Sequence, residues 1–467
     1  MAQKLGAGEQ KIGTKKRSDS KPTGRQPAKG SPVKNQRNPQ RSPHGKTRAG
    51  RSPQRNQENQ IRKDPEKKIR QQSQQTAGRK RVGKGRKKMN DKWFHVGAGL
   101  DLPLLFLIVI LLSIGLIMLF SASYAHSLRF YNNVYHFIQS QATFAVVGLL
   151  IMYGVSLLDY HHYHRFAWPL YAFTGVMLAI TVLFRDTALA PVKGGTASRW
   201  LNLGFVEFQP SEIGKFALIL VFAHMISQRA EKMDNFRLGF LPFMGVLGLY
   251  DILIVLERHL SATIIITMIA VMLMIVGGTK LRYLLTVGGV GIAAGLSVVL
   301  LSDSFHYATE RISGWLDPFG GSVDTYQTRQ SLYAIGSGQL LGVGLGQSRQ
   351  KHLYLPEPQN DFIFAIVCEE LGFIGALFIL VLFALLIWRG VYVSLHAKDR
   401  FGMMIGLGIT FQVGLQIILN IAVVTNTIPN TGIGLPFFSS GGTALLILLT
   451  EMGVLLQISR SSNIEKT

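Results

Sequence analysis

The sequence predicts an all-α polytopic membrane protein with about ten transmembrane helices, both termini cytoplasmic, and a large extracellular loop between the seventh and eighth spans. Three observations predict it. Apolar runs long enough to cross about 30 Å of hydrocarbon recur from residue 101 onward. Nearly all the net charge sits before them: residues 1–92 hold 28 Lys and Arg against 6 Asp and Glu, +22 of the chain's +23. Residues 302–360, finally, are almost the only long polar stretch in the hydrophobic part.

The chain therefore divides into a tail, 1–92, and a membrane domain, 93–467. The tail is rich in Gln, Gly, Ser, Pro, Lys and Arg, and no aromatic precedes Trp93. Such a segment cannot bury enough apolar surface to offset its chain entropy, and it is expected to be disordered. It lacks the apolar core of a signal peptide. Its basic charge suits anionic lipid headgroups, each Lys or Arg near the surface contributing about 1 kcal/mol. No nucleic acid is expected as a partner, because no folded nucleic-acid module accompanies the charge. The single cysteine, Cys368, excludes an intrachain disulfide.

Ten spans follow, at 103–123, 141–158, 166–184, 210–227, 238–256, 260–277, 283–301, 361–388, 402–425 and 441–459. Helices are expected throughout, because lipid offers no partner for backbone polar groups and barrel strands would be shorter and alternating. The motif GRKRVGKGRKK ahead of the first span is a strong cytoplasmic signal. The links then placed inside, HHYHR, QRAEKMDNFR, GGTKLR and WRGVYVSLHAKDR, are dense in Lys and Arg. The loop 302–360, the shorter loop 185–209 and the link 426–440 fall outside.

A loop that long is more often a working surface than a connector. Chemistry outside the membrane has no ATP, so it needs an activated substrate, and a lipid-linked sugar diphosphate is one. Glycosyl transfer from it requires a carboxylate to take the acceptor's proton, positive charge or a metal at the leaving diphosphate, and a groove for the lipid. The loop offers Asp317 and Asp324 as carboxylates and Arg311, Arg329, Arg349 and Lys351 as cations. The glycines of GSGQLLGVGLG (336–346) allow close backbone approach. Each has a plainer reading: Asp317 before Pro318 suits a turn, the arginines suit a merely solvated loop, and GVGLG follows no strand of a βαβ unit.

Three motifs sit at span ends. In QPSEIGKFA (209–217), Pro210 opens a helix, and Glu212 and Lys215 share a face three residues apart. Upstream, Arg199 and Trp200 lie at the outer face. In LPEPQNDFIFAIVCEELG (355–372), Asp361 starts a span and Glu369 and Glu370 lie within it, where acids face a bundle interior or a polar cavity. NTGIGLPFFSSGGTALL (430–446) is broken by Pro and Gly, which is tolerated at membrane depth only when packed in protein or lining a cavity.

Together with YQTRQSLYAIGSGQLLGVGLGQS (326–348), these segments resemble the SEDS family, the FtsW/RodA/SpoVE group of cell-wall polymerases, in order and over roughly residues 100–460. The resemblance implies a peptidoglycan glycosyltransferase that polymerises lipid II into β-1,4 glycan strands, paired with a class B penicillin-binding protein as transpeptidase. A loop aspartate would deprotonate the acceptor GlcNAc 4-hydroxyl, and undecaprenyl diphosphate would leave. The loop departs from the family's spacing: Gly321 stands where a second Asp is expected, so the base is either Asp317 or Asp324. Substrate-binding candidates are Arg199, Glu212, Lys215, Arg311, Gln327 and Arg329. To these are added Lys351, Glu357, Asp361, Glu370 and Ser439. The LPEPQNDFIFAI form and the long arm resemble the division or sporulation branch, which implies a plasma-membrane protein at the division septum with divisome partners. A lipid II flippase and a non-catalytic scaffold are the alternatives. No cofactor is certain. Mg²⁺ or Mn²⁺ could assist the diphosphate's departure, although no His/Asp cluster has ligand spacing.

Overall fold

The computed structural model describes residues 99–191, 199–204, 207–301, 312–320 and 325–462. The basic tail, Arg311 and Asp324 lie outside the described residues. Every span read from the sequence is a helix. The first four are α1 (Leu102–Tyr131), α2 (His136–Leu157), α3 (Tyr163–Leu183) and α4 (Pro210–Gln228). Between α3 and α4, β1 (Leu201–Asn202) pairs antiparallel with β2 (Glu207–Phe208), Leu201 opposite Phe208. Next come α5 (Leu241–Leu256), α6 (Leu260–Gly277) and α7 (Leu281–Leu301). A helix within the large loop, α8 (Tyr326–Gly338), precedes α9 (Ile363–Leu395), α10 (Arg400–Val424) and α11 (Gly442–Ser461). Among the described residues, nine helices are long and apolar enough to cross a membrane. α7, with 21 residues and a length of about 31 Å, has the reach of a span.

Local chemistry sets the boundaries. Asp101 caps α1 by accepting from Leu104 N at 3.0 Å, and Asp399 caps α10 by accepting from Gly402 N at 2.8 Å. Pro103 and Pro210 occupy first-turn positions, where a missing N–H costs nothing. Gly278, at φ 100°, closes α6 in the left-handed conformation. α1 continues to Tyr131, past its apolar run, so its last turns stand beyond hydrocarbon depth.

The helices alternate in direction, which gives the bundle two distinct ends. At the end where α1 begins, Arg389 Nη2 donates to Asp101 Oδ2 at 2.8 Å, His161 bridges Asp159 and Asp399 at 2.6 Å each, and Lys280 pairs with Asp234 at 3.1 Å. The opposite end, the loop end, carries the large loop, the β1–β2 hairpin and the link between α10 and α11.

α4 is apolar around nearly its whole circumference beyond its first turns, as a helix enclosed by others must be. Its residues 217–223 are fully buried, and it packs against α3, α6 and α10. Because lipid removes most hydrophobic drive between helices, close packing holds them together. α11 lies along α2 with Gly453 at the crossing, where a Cβ would come within 2.6 Å of Met152 O.

Candidate active site

Above this packed interior, the loop end opens into a cavity of about 980 Å³, at the upper end of the usual 300–1,000 Å³ range for small-molecule sites. Its floor comes from three helices. α4 contributes the Lys215–Glu212 pair, Nζ to Oε2 at 2.8 Å, with Lys215 1% exposed. The i,i+3 spacing puts both on one face, and the carboxylate sits in the first turn, where the helix dipole favours it. α11 contributes Glu451, whose oxygens accept from Gln412 Nε2 of α10 at 3.0 and 2.8 Å. Glu451 lies midway along α11, so the polar floor reaches the middle of the bundle.

The wall toward α6 holds Arg199, which donates to Arg258 O at 3.3 Å, and His259, which takes the amide of Gln209 at 3.2 Å. Burial, with Arg199 and Lys215 adding positive field, drives the His259 imidazole well below its usual range, so it is neutral at physiological pH. The neighbouring Glu257, at the end of α5, is pushed up to about 8 by burial, offset in part by a hydrogen bond from Thr181 and by Arg199.

The opposite rim is made of two irregular segments that satisfy each other's backbone. Ser439 Oγ donates to Asn360 O at 2.6 Å and accepts from Leu435 N at 2.7 Å, while Ser440 N donates to Gln359 O at 2.8 Å. Asn420 of α10 braces both segments, donating to Asp361 O and Ile433 O at 2.7 Å each. Gln141 of α2 clamps the other side, donating to Ser439 O at 3.2 Å and accepting from Gly441 N at 3.1 Å. The broken stretch before α11 is thus packed and lines a cavity, as membrane depth requires. α8 reaches the same rim: Gln327 Nε2 donates to Pro356 O at 3.1 Å, and Asn430 Nδ2 donates to Gln327 Oε1 at 3.3 Å.

Seven of the substrate-binding candidates therefore share one cavity: Arg199, Glu212, Lys215, Gln327, Glu357, Asp361 and Ser439. Others lie elsewhere. Arg329 stacks its guanidinium on Tyr326, 5.7 Å from the ring centre, away from the lining. Lys351 and Glu370 are buried in an ion pair of their own, Nζ to Oε1 at 2.9 Å. Asp317 is exposed, in a turn where Gly320 N donates to its carbonyl at 3.3 Å. The preceding Trp315 docks this turn on the α10–α11 link: its Nε1 donates to Asn426 O at 3.1 Å, and Asn426 Nδ2 returns a bond to Trp315 O at 3.2 Å. Glu451, Gln412, Gln141 and His259 are cavity residues that the sequence reading did not single out. The signal for Glu451 was present, since it is the one charged residue in the apolar run 441–459. Among the described residues, no three His, Cys, Asp or Glu converge as metal ligands.

A bundle of membrane-length helices with a deep, charged cavity at one end defines a multi-pass membrane protein. The sequence profile of the FtsW/RodA/SpoVE family, described as cell cycle proteins, matches residues 102–464. The chain belongs to this family. It is 37% identical over 367 residues to stage V sporulation protein E of Bacillus subtilis (strain 168), covering 78% of this chain and 97% of that protein. It is also 37% identical over 366 residues to a probable peptidoglycan glycosyltransferase FtsW of Geobacter sp. (strain M18), covering 77% and 97%. The fold is that of the rod shape determining protein RodA of Thermus thermophilus, with TM-score 0.55, 23% identity, and 79% and 99% of the two chains covered. It is shared with a chain solved in work on polymerization and crosslinking by a peptidoglycan synthase complex, with TM-score 0.64, 24% identity, and the same 79% and 99% coverage.

Proposed function

We propose that this protein is a peptidoglycan glycosyltransferase that polymerises lipid II at the outer face of the plasma membrane. The observation that carries the reading is the placement of Arg199 and the Lys215–Glu212 pair in one cavity, at the bundle end that bears the long polar loop. Relatives named as peptidoglycan glycosyltransferases, nearly all of whose length the chain matches, support it. In the proposed reaction a loop carboxylate, Asp317 or Asp324, takes the proton of the acceptor GlcNAc 4-hydroxyl. That oxygen bonds to the donor's anomeric carbon as the carbon–phosphate oxygen bond breaks. The electron pair leaves with undecaprenyl diphosphate, and the β-1,4 linkage forms with inversion. Arg199 and Lys215 supply positive charge for the diphosphate. The described donor set gathers no metal, so no step is assigned to one, and Mg²⁺ or Mn²⁺ is a variable for the assay.

The partners that fit this reading are a class B penicillin-binding protein as transpeptidase and other division proteins at the septum, with the basic tail on anionic lipid. Relatives named FtsW support the division lean. A flippase would need a path continuing past the floor. Below Lys215, residues 217–223 of α4 are instead fully buried in apolar packing, which favours an enzyme over a transporter.

Purified full-length chain with its transpeptidase partner is expected to elongate labelled lipid II, with and without added Mg²⁺ or Mn²⁺. Removing a general base costs about 10²–10⁴-fold, so one of Asp317→Ala and Asp324→Ala should fall by that factor. Undiminished polymerisation by the double variant would overturn the assignment of the base to this loop.

A further inference from the structure

We infer that Lys351 and Glu370 are positioning residues, an internal clamp that fixes the cavity rim on α9. This rests on the glycosyltransferase reading only for its kinetic consequence. The clamp begins at Gly372, whose φ of 67° and ψ of −171° interrupt α9. The interruption frees backbone groups that the loop then takes up. Val343 N and Gly344 N donate to Glu369 O and Glu370 O at 2.9 and 3.0 Å, while Phe373 N and Ile374 N donate to Gln339 O and Leu340 O at 2.9 and 3.1 Å. Residues 339–344 thus replace a missing helical turn, and the loop is spliced into the helix.

The two carboxylates ahead of the break fasten loop residues 348–351. Glu369 accepts from Ser348 Oγ at 2.5 Å and from Arg349 N at 2.9 Å. Glu370 accepts from Lys351 Nζ at 2.9 Å, from Ser348 N at 3.3 Å and from Ser121 Oγ of α1 at 2.7 Å. Lys351 Nζ also donates to Ser121 Oγ at 3.1 Å. The Lys351 and Glu370 side chains are only 4% and 0% exposed. Unlike Lys215, neither side chain lines the cavity, and the Lys351 ammonium already donates to Glu370 and Ser121.

The clamp holds the rim. Leu355 N donates to Gln350 O at 2.8 Å, and the next residue, Pro356, accepts from Gln327 on α8. Glu357 comes after it and lines the cavity. Between Lys351 and Glu357 the chain is thus tied at Leu355 and Pro356, and the second of these joins it to α8. Holding reactive groups in register is worth large factors, and a shift of about 1 Å can cost about 10²-fold.

The test uses the full-length chain in nanodiscs with Lys351→Met, Glu370→Gln and the double variant Lys351→Met/Glu370→Met. Each is followed by thermal melting, by kcat and KM on labelled lipid II, and by the distance between spin labels at Tyr333→Cys on α8 and Ile418→Cys on α10, in a Cys368→Ser background. The single variants should broaden the label distance and lower kcat about 10- to 100-fold with KM within about 3-fold. The double variant removes the buried charges, so melting should recover. Methionine offers no acceptor to Ser348 N or Ser121 Oγ, so distance and kcat should stay impaired. Recovery of both together with melting would show that the pair merely packs. A raised KM with an unchanged distance would make Lys351 a substrate contact. Either result overturns the proposal. If the wild type polymerises nothing, the glycosyltransferase reading falls, and the label distance alone decides the clamp.

Discussion

Lys215 is an ammonium with almost no solvent, held by a Glu212 carboxylate that is itself 21% exposed toward the cavity. Breaking such a pair from one side is costly, because the partner's charge stays buried: about 3–5 kcal/mol when both are fully enclosed. Glu212→Gln strands the more buried member. It should destabilise the protein by about 3 kcal/mol, read as a lower melting temperature in detergent. Lys215→Met leaves its carboxylate partner a route to cavity water, and should destabilise less while still abolishing diphosphate binding. Equal melting losses for the two would contradict this account of their burial. The pair was legible in QPSEIGK because both partners lie on one helix, where spacing reports contact. Gln412 and Glu451 are 39 residues apart on different helices, and sequence spacing says nothing about such a contact. The same limit hid the role of Glu370, whose partners lie in the loop and on α1.

At the scale of elements, span after span could be read from hydropathy alone, since lipid leaves the backbone one economical solution. α8 could not. Its buried positions, Thr328, Ser331, Ala334 and Gly338, recur at helical spacing but are small rather than apolar. They are small because α8 lies against the backbone of α9, where a Cβ on Gly338 would come within 2.0 Å of Cys368 O. The break in α9 was equally silent, because the apolar run resumes directly after Glu369 and Glu370, in LGFIG and beyond. Gly372 makes that break testable. Its φ of 67° disfavours any side chain, and a Cβ there would lie 2.2 Å from Gly342 N and 2.6 Å from Leu340 O. Gly372→Ala should cost about 3 kcal/mol of backbone strain and lost splice bonds, or about 4 °C of melting temperature. Gly336→Ala, on the exposed face of α8, would place its Cβ with nothing within 4 Å. It serves as a comparison in which the splice is intact. A Gly372→Ala protein that melts like wild type would mean that the splice contributes little.

For the whole molecule, orientation is a single binary choice, because the alternation of helices commits every link to one end or the other. Arg165, Arg229, Lys232, Arg237, Lys280, Arg282, Lys398 and Arg400 lie at or beside the links of the end where α1 begins. That basic end should face the cytoplasm, which turns the cavity and its loop outward to where lipid-linked sugar is the available fuel. In sequence this inference hung on counting spans, since one miscounted helix would have flipped every later loop. In the structure it rests on physical proximity instead, because Asp101 before the first span touches Arg389 on α9 and Ser459 on the last. The single native cysteine makes the orientation directly measurable. In a Cys368→Ser chain, cysteines placed at Asn133 or Tyr354 on the loop end should react with a membrane-impermeant maleimide on intact cells whose wall admits the reagent. Cysteines at Glu231 or Lys398 should react only after the membrane is opened. The reverse pattern would put the cavity in the cytoplasm, facing nucleotide-activated sugars, and the proposed reaction with its undecaprenyl diphosphate leaving group would fall with it. Labelling of all four sites on intact cells would mean a permeable membrane, which a reporter cysteine on a cytoplasmic protein in the same cells would expose.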